Sequence, residues 1–194
     1  MKVNNLPSFK EVVTKEYIDQ VLKSGQWTSH GSDIERYFED ADAIECLDDD
    51  TMAAQHLMEV YFPNRFRFVM EDLNRHLDEL SEDPHILRSM TISAKDWRSF
   101  KNMLGKQPLG VFWSVHQPEL HGTTEKRGVR VTIKAKFDPN QVDWVETIRS
   151  RMDYDLGDDE EEIQLLSEAI PDVVDFDFIN EHYASQDQGS DLAL

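Results

Sequence analysis

Five consecutive acidic residues, Asp158–Glu162, lead directly into Ile163-Gln164-Leu165-Leu166. Glu160 and Glu162 are two positions apart, so a β-strand would place both carboxylates on one face. Two like charges at that range repel, which raises the pKa of at least one of them. Such a pair suits a reaction in which a sugar carbon acquires positive charge, because one carboxylate stabilises the cation while the other handles a proton. A solvated turn is the plain alternative for the same run.

Two further polar residues lie upstream on predicted strands. Arg88 lies within His85–Ile92, and its planar guanidinium is suited to binding phosphate oxygens. Ser114 lies in the compact apolar run Leu109–Val115 and offers a hydroxyl. An ordinary salt bridge for the arginine and a hydrogen bond to the backbone for the serine are the alternatives.

The order of arginine strand, serine strand and Glu-x-Glu strand resembles the mono-ADP-ribosyltransferases of the toxin and bacteriophage type, over about residues 84–179. The resemblance implies that NAD is a substrate and that ADP-ribose is transferred to a protein side chain, with arginine as the expected acceptor. It also implies that Glu162 is the catalytic glutamate and that Glu160 positions the acceptor. Glu161 is the competing assignment, because the register is open by one residue.

The same resemblance implies that Arg88 binds the NAD phosphates and that Ser114 supports both the catalytic glutamate and the nicotinamide ribose. Trp113 precedes Ser114 and is included with the NAD-binding residues, with a core position as its alternative. The sequence departs from the family pattern, since Leu87 and Ser89 flank the arginine in place of an aromatic residue and a glycine. Trp113-Ser114-Val115 also replaces the usual Ser-Thr-Ser, so a degenerate member that only binds is an open alternative.

The elements before Pro84 are predicted to be helices. A capping box at Ser8 and Glu11 starts the first helix, and Gly25 ends it. Weaker helical patterns follow at 33–45 and 51–62, and Pro63 is predicted to separate the latter from a stronger helix at 64–80.

The elements after Pro84 are mainly strands. Strands are predicted at His85–Ile92, Leu109–Val115, Gly128–Phe137, Glu161–Leu166 and Val173–Ile179, and helices at Trp97–Leu104 and 141–151. Helices first and strands later predict an α+β fold. The resemblance implies amino-terminal helices followed by a mixed β-sheet core of ADP-ribosyltransferase type. The predicted parts are a helical portion (1–83), a β-rich core (84–182) and a frayed acidic tail (183–194).

The charge of the chain limits the classes of function that it can have. The 194 residues include 20 Lys and Arg against 39 Asp and Glu, a net charge of −19, yet 39% are hydrophobic and 10% aromatic. This composition predicts a packed core and excludes a non-specific nucleic-acid binder. Residues 84–137 hold ten basic and three acidic side chains, a net +7, within acidic flanks. This basic middle predicts either an anion site or pairing with the flanks.

The cysteine and apolar patterns predict a soluble, cytoplasmic protein, in the host cytoplasm if the protein is a bacteriophage or bacterial effector. Cys46 is the single cysteine, and neither a signal-peptide region in residues 1–8 nor an apolar run of membrane-spanning length is present. No membrane partner is therefore expected. The seven histidines show no pair at the helix spacing of zinc sites, so no metal site is predicted.

A different class of function fits the same composition. The alternative is an acidic binding or inhibitor protein, which either mimics nucleic acid or uses a degenerate transferase fold to dock a basic protein partner. An acidic α+β domain that shares only a sheet topology with transferases is the third interpretation.

Overall fold

A computed structural model describes residues 6–24, 50–93, 95–116, 128–153 and 162–178. The chain divides into a helical unit (residues 2–75 and 144–157) and a sheet unit (residue 1, 76–143 and 158–194). This division differs from the sequence-based one, because 144–157 groups with the amino-terminal helices and the first boundary lies at 75/76. The predicted helix at 33–45 and the predicted tail at 183–194 lie outside the described residues.

The predicted first helix is two helices, α1 (Phe9–Val12) and α2 (Lys15–Ser24). The capping box is confirmed, because the backbone N–H of Ser8 donates to the Glu11 carboxylate at 2.7 Å. The break follows from Thr14, whose hydroxyl oxygen accepts a hydrogen bond from the backbone N–H of Tyr17 at 3.3 Å. A threonine that accepts from the third residue onward starts a new helix at that point.

The next helices are continuous through Pro63, contrary to the predicted separation. Helix α3 (Asp50–His56) passes through a π-helical segment (Leu57–Tyr61) into α4 (Phe62–Glu82). Proline has no N–H to donate and its ring collides with the carbonyl four residues earlier, which disfavours regular α-helix there. The wider π-helical turns directly before Pro63 absorb this conflict without ending the helix.

Two further α-helices in the described residues are α5 (Trp97–Met103), in the sheet unit, and α6 (Trp144–Asp153), in the helical unit. A short 3-10 helix (Pro139–Gln141) lies between them. The core of the helical unit includes Val12, Tyr17, Phe62, Leu73, Ile148 and Met152. Tyr17 and Phe62 have ring centroids 5.4 Å apart, so α2 and α4 pack through aromatic side chains.

The sheet unit contains strands β1 (His85–Ser93), β2 (Phe112–Ser114), β3 (Gly128–Lys136), β4 (Glu162–Gln164) and β5 (Asp172–Phe178). They form one sheet in the order β4-β2-β1-β3-β5. Every neighbouring pair is antiparallel, so among the described strands the sheet is antiparallel and the predicted mixed sheet is wrong. The general α+β class, with helices followed by a sheet, is confirmed.

One face of the sheet carries its apolar core. The predicted alternation of β3 holds, since Val131, Ile133 and Ala135 are all fully buried. Ile86 of β1 lies opposite Ala135 and is also buried. The opposite face is polar at its centre, where the hydroxyls of Ser89 and Thr132 are hydrogen-bonded at 2.8 Å.

None of the helices in the described ranges has the length and apolar content needed to cross a membrane.

Candidate functional site

Sheet order brings together the three strands that carry the predicted site residues. β2 lies between β4 and β1, so the serine strand has the glutamate strand on one side and the arginine strand on the other. β2 is shorter than predicted, with three residues instead of the run Leu109–Val115, and Phe112 is exposed. The register of these short ladders decides which side chains share a face.

Ser114 and Glu162 lie directly opposite each other in the β2–β4 ladder. Residues paired in this way point to the same face, with Cβ atoms about 4.5–5.5 Å apart. Ser114 is 4% exposed, whereas Glu162 is partly exposed at the start of its strand. The sheet therefore places a buried hydroxyl beside an accessible carboxylate. Glu160 and the competing Glu161 lie outside the described residues.

Arg88 reaches this region from the other face of the sheet. Leu87 pairs with Ser114, so the alternation of β1 places the Arg88 side chain on the face opposite to Ser114 and Glu162 at its base. The guanidinium then extends to the first residue of β2, where Nη1 donates to the backbone carbonyl of Phe112. Register thus brings Ser114 and Glu162 onto one face, whereas Arg88 reaches the opposite end of β2.

The guanidinium of Arg88 is incompletely satisfied. Its Nε atom is buried and makes no hydrogen bond within the described part of the chain. Burial lowers the pKa of Arg88, and the negative charge of Glu162 opposes that shift. The charge of Glu162 therefore acts on Arg88 across β2, although the two side chains begin on different faces. An arginine remains charged at neutral pH despite such a shift.

Gly110, which the sequence analysis did not single out, makes room for this arginine. Its φ of +94° is a conformation that glycine adopts without steric cost. A Cβ at this position would lie 2.7 Å from Nη2 of Arg88. A glycine within the predicted strand Leu109–Val115 was the available signal, but the approach of Arg88 depends on which strand becomes the neighbour.

Trp113 packs into the core beside the site. Its side chain is 2% exposed, and its indole N–H donates to the carbonyl of Gly110 at 3.1 Å. This bond connects β2 to the turn that receives Arg88. Ile163, which lies opposite Trp113 on β4, is fully buried, so the two residues anchor the strands that present Ser114 and Glu162.

The basic middle of the chain meets acidic residues along the β3–β5 ladder. Lys134 lies opposite Asp175, and Lys136 lies opposite Asp172. The Lys134 ammonium is also 3.7 Å from the carboxylate of Asp83. Opposite charges in facing positions attract each other, so part of the predicted basic region is paired with the acidic flanks.

A second group of polar residues lies at the carboxyl end of α4. His76, Glu79 and His116 each offer a ligand atom, and these atoms all lie within 4.8 Å of one another. Nε2 of His116 is 3.3 Å from a carboxylate oxygen of Glu79, and the rings of His76 and His116 meet edge to face. These residues could hold a metal ion. The spacing of histidines alone does not reveal this group, whereas His76 and Glu79 are three apart on a predicted helix.

No protein-family model matches this chain, and the searches of curated proteins and of solved structures also returned no match.

Proposed function

We propose that this chain is an NAD-dependent mono-ADP-ribosyltransferase that modifies a protein side chain, with arginine as the expected acceptor. The observation that carries the proposal is the pairing of Ser114 with Glu162 next to the strand of Arg88. A hydroxyl fixed beside a carboxylate favours one orientation of that carboxylate, and the sheet supplies this order without any mobile element.

Arg88 is assigned to the pyrophosphate of NAD. Its Nη1 atom is held by the Phe112 carbonyl, which orients the guanidinium plane, while the buried Nε has no hydrogen-bond acceptor among the described residues. A phosphate oxygen is a strong acceptor for such a donor. Arg88 lies at the first residue of β2 and Glu162 is paired with the last one. NAD would therefore have to extend along β2 for its ribose to reach Glu162.

In the proposed reaction, the bond between the nicotinamide nitrogen and the ribose C1′ breaks. The bonding electron pair stays with the nicotinamide, whose positive charge is thereby neutralised. The carboxylate of Glu162 stabilises the positive charge that develops on the ribose, and Ser114 holds that carboxylate in place. A nitrogen of the acceptor guanidine then bonds to C1′ and loses a proton. Glu160 is assigned to positioning this acceptor.

The experiment is release of nicotinamide from NAD by the purified chain, with and without a guanidine acceptor. Glu162→Gln keeps the size of the side chain and removes its charge, and we expect it to lower the rate at least about 100-fold. Glu168→Gln is the matched control, because it removes the same charge from an exposed residue in the turn after β4 and should leave the rate unchanged.

A folded protein that neither binds nor cleaves NAD would rule out the transferase proposal. The second candidate, binding of a basic partner, is favoured by the three exposed aspartates of the edge strand β5, which are Asp172, Asp175 and Asp177. That function predicts binding which weakens with added salt, responds to removal of these aspartates and is indifferent to Glu162→Gln.

A further inference from the structure

We propose that His76, Glu79 and His116 form a binding site for a divalent transition-metal ion, with Zn²⁺ as the best-suited metal. The site lies wholly in the sheet unit and uses none of the residues assigned to NAD. It is independent of the transferase proposal.

The geometry of the three residues matches the ligand spacing of a zinc site. His76 and Glu79 are three residues apart on α4, a spacing that puts both side chains on one helix surface. His116 follows the end of β2 by two residues and approaches them from a separate segment. Tetrahedral bonds of about 2.0–2.1 Å place neighbouring ligand atoms about 3.3 Å apart, and the His116–Glu79 distance is 3.3 Å.

Small side-chain movements would bring the other pairs of ligand atoms to the spacing of a metal site. The ligand atoms span at most 4.8 Å. His76 is 0% exposed, whereas the side chains of Glu79 and His116 are 40% and 54% exposed and have solvent beside them in which to move. One buried ligand and two exposed ones allow the group to contract around an ion without moving the backbone.

The ligand types select the class of metal. Two imidazole nitrogens and one carboxylate oxygen suit Zn²⁺ and neighbouring transition metals, whereas Mg²⁺ and Ca²⁺ prefer oxygen ligands throughout. Three protein ligands leave the fourth tetrahedral position for water or another exchangeable group. A bound ion would also tie α4 to the segment that follows β2, and thereby restrain the end of the strand that carries Ser114.

A simple ion pair between Glu79 and His116 is the competing explanation for their contact. An ion pair needs no third residue, yet His76 places a second imidazole against His116, with ring centroids 5.9 Å apart. A shared cation would account for two imidazoles and one carboxylate within reach of a single point. The two explanations differ in whether added metal binds.

The experiment is calorimetric titration of the full chain with Zn²⁺ after treatment with a chelator. We expect one tight site per chain, and we expect His116→Gln and Glu79→Gln each to weaken binding at least about tenfold, the loss typical when one metal ligand or its support is removed. His85→Gln is the matched control, because His85 belongs to the same unit and contacts Asp83 instead of the site. It should bind Zn²⁺ like the unmodified chain.

A second measurement uses the unmodified chain and so does not depend on whether a variant folds. In NMR spectra, Zn²⁺ should shift the imidazole nitrogen resonances of two histidines, assigned to His76 and His116. It should also stabilise the chain against thermal unfolding. The proposal is overturned if Zn²⁺ binds no more tightly than to the double variant lacking Glu79 and His116, or if histidines other than these two respond.

Discussion

Arg65 in the helical unit and Arg88 in the sheet unit both have buried guanidinium atoms, but they differ in how many of their hydrogen-bond donors have acceptors. Arg65 is 3% exposed and donates through Nε to the carbonyl of Met152 at 3.0 Å and through Nη2 to that of Arg151 at 3.4 Å. These carbonyls belong to the last turn of α6, where a positive charge is favourable. Arg88 is half-buried and holds one carbonyl, that of Phe112, while its Nε has no acceptor in the described ranges.

Arg65 uses its donors to hold the end of a helix, whereas Arg88 keeps a donor that could bind another acceptor. The helical unit repeats the first pattern, since Arg149 donates to the carbonyl of Val12 at 2.9 Å and lies over the ring of Tyr17. Arg151 similarly forms a 3.0 Å ion pair with Asp72. A buried donor left without an acceptor costs free energy. Under the proposed function, a phosphate oxygen of NAD would supply that acceptor to Arg88.

The largest expected effect is on stability and contrasts these two arginines directly. Arg65→Met leaves two carbonyls at the end of α6 without their donor and should lower the free energy of unfolding by about 3 kcal/mol. Arg88→Met should lower it by less than about 1 kcal/mol, because a partly unsatisfied buried charge is removed at the same time. Urea denaturation measures both, and Arg98→Met, on the exposed side of α5, is the control. Equal losses of unfolding free energy in Arg65→Met and Arg88→Met would show that the two arginines do not differ in their contribution to stability.

The next effect concerns the space that Arg88 occupies. Gly110→Ala introduces both an unfavourable φ and a Cβ against the guanidinium, and should cost about 1–2 kcal/mol of stability while weakening NAD binding. Gly105→Ala is the matched control, because its φ is +68° but no atom lies within 4 Å of the added carbon. It should cost about 1 kcal/mol and leave NAD binding unchanged. Equal NAD affinities in the two variants would show that Arg88 does not depend on this space.

A smaller effect tests the helical unit alone. Thr14→Ala removes the oxygen that accepts from the Tyr17 N–H and should lower the free energy of unfolding by about 1 kcal/mol. Thr14→Ser keeps that oxygen and should restore most of the loss. Hydrogen exchange of the α2 amides localises the change, and an unaltered exchange rate in Thr14→Ala would show that α1 and α2 are not separated by this cap.

The smallest effect is a pH dependence in each unit. The hydrogen bonds from Ser8 lower the pKa of Glu11 in the helical unit, and the hydrogen bond from His85, with help from Lys134, lowers the pKa of Asp83 in the sheet unit. A lowered pKa gives stability that is present above the ordinary value, 4.5 for Glu11 and 3.8 for Asp83, and is lost as pH falls through the lowered one.

Thermal unfolding of Glu11→Gln and Asp83→Asn as a function of pH measures this contribution. Each variant should melt slightly below the unmodified chain at neutral pH, and the difference should vanish in acid, once the unmodified carboxyl is also protonated. A difference that persists at low pH would assign the effect to the shape of the side chain and not to its charge.

Local sequence pattern predicted most elements correctly, for reasons visible in particular residues. The strict alternation of apolar and polar residues in Gly128–Phe137 is typical of a strand with one buried face, and it identified β3. The capping box of Ser8 and Glu11 likewise identified a helix start from four residues alone. Pro63 misled the prediction, because π-helical turns directly before it carry the helix through the proline. The mixed sheet was predicted from the resemblance, since strand direction leaves no local signature.

The strand positions of the candidate site residues were predictable, but their arrangement was not. The sequence by itself determined that Arg88, Ser114 and Glu162 lie on strands, because period-two patterns are local. Only tertiary structure decided that Ser114 faces Glu162, that Arg88 begins on the opposite face, and that His116 reaches His76 and Glu79. The physical reason is that strand order and register are set by the packing of distant segments, and a slip of one residue moves every side chain to the other face.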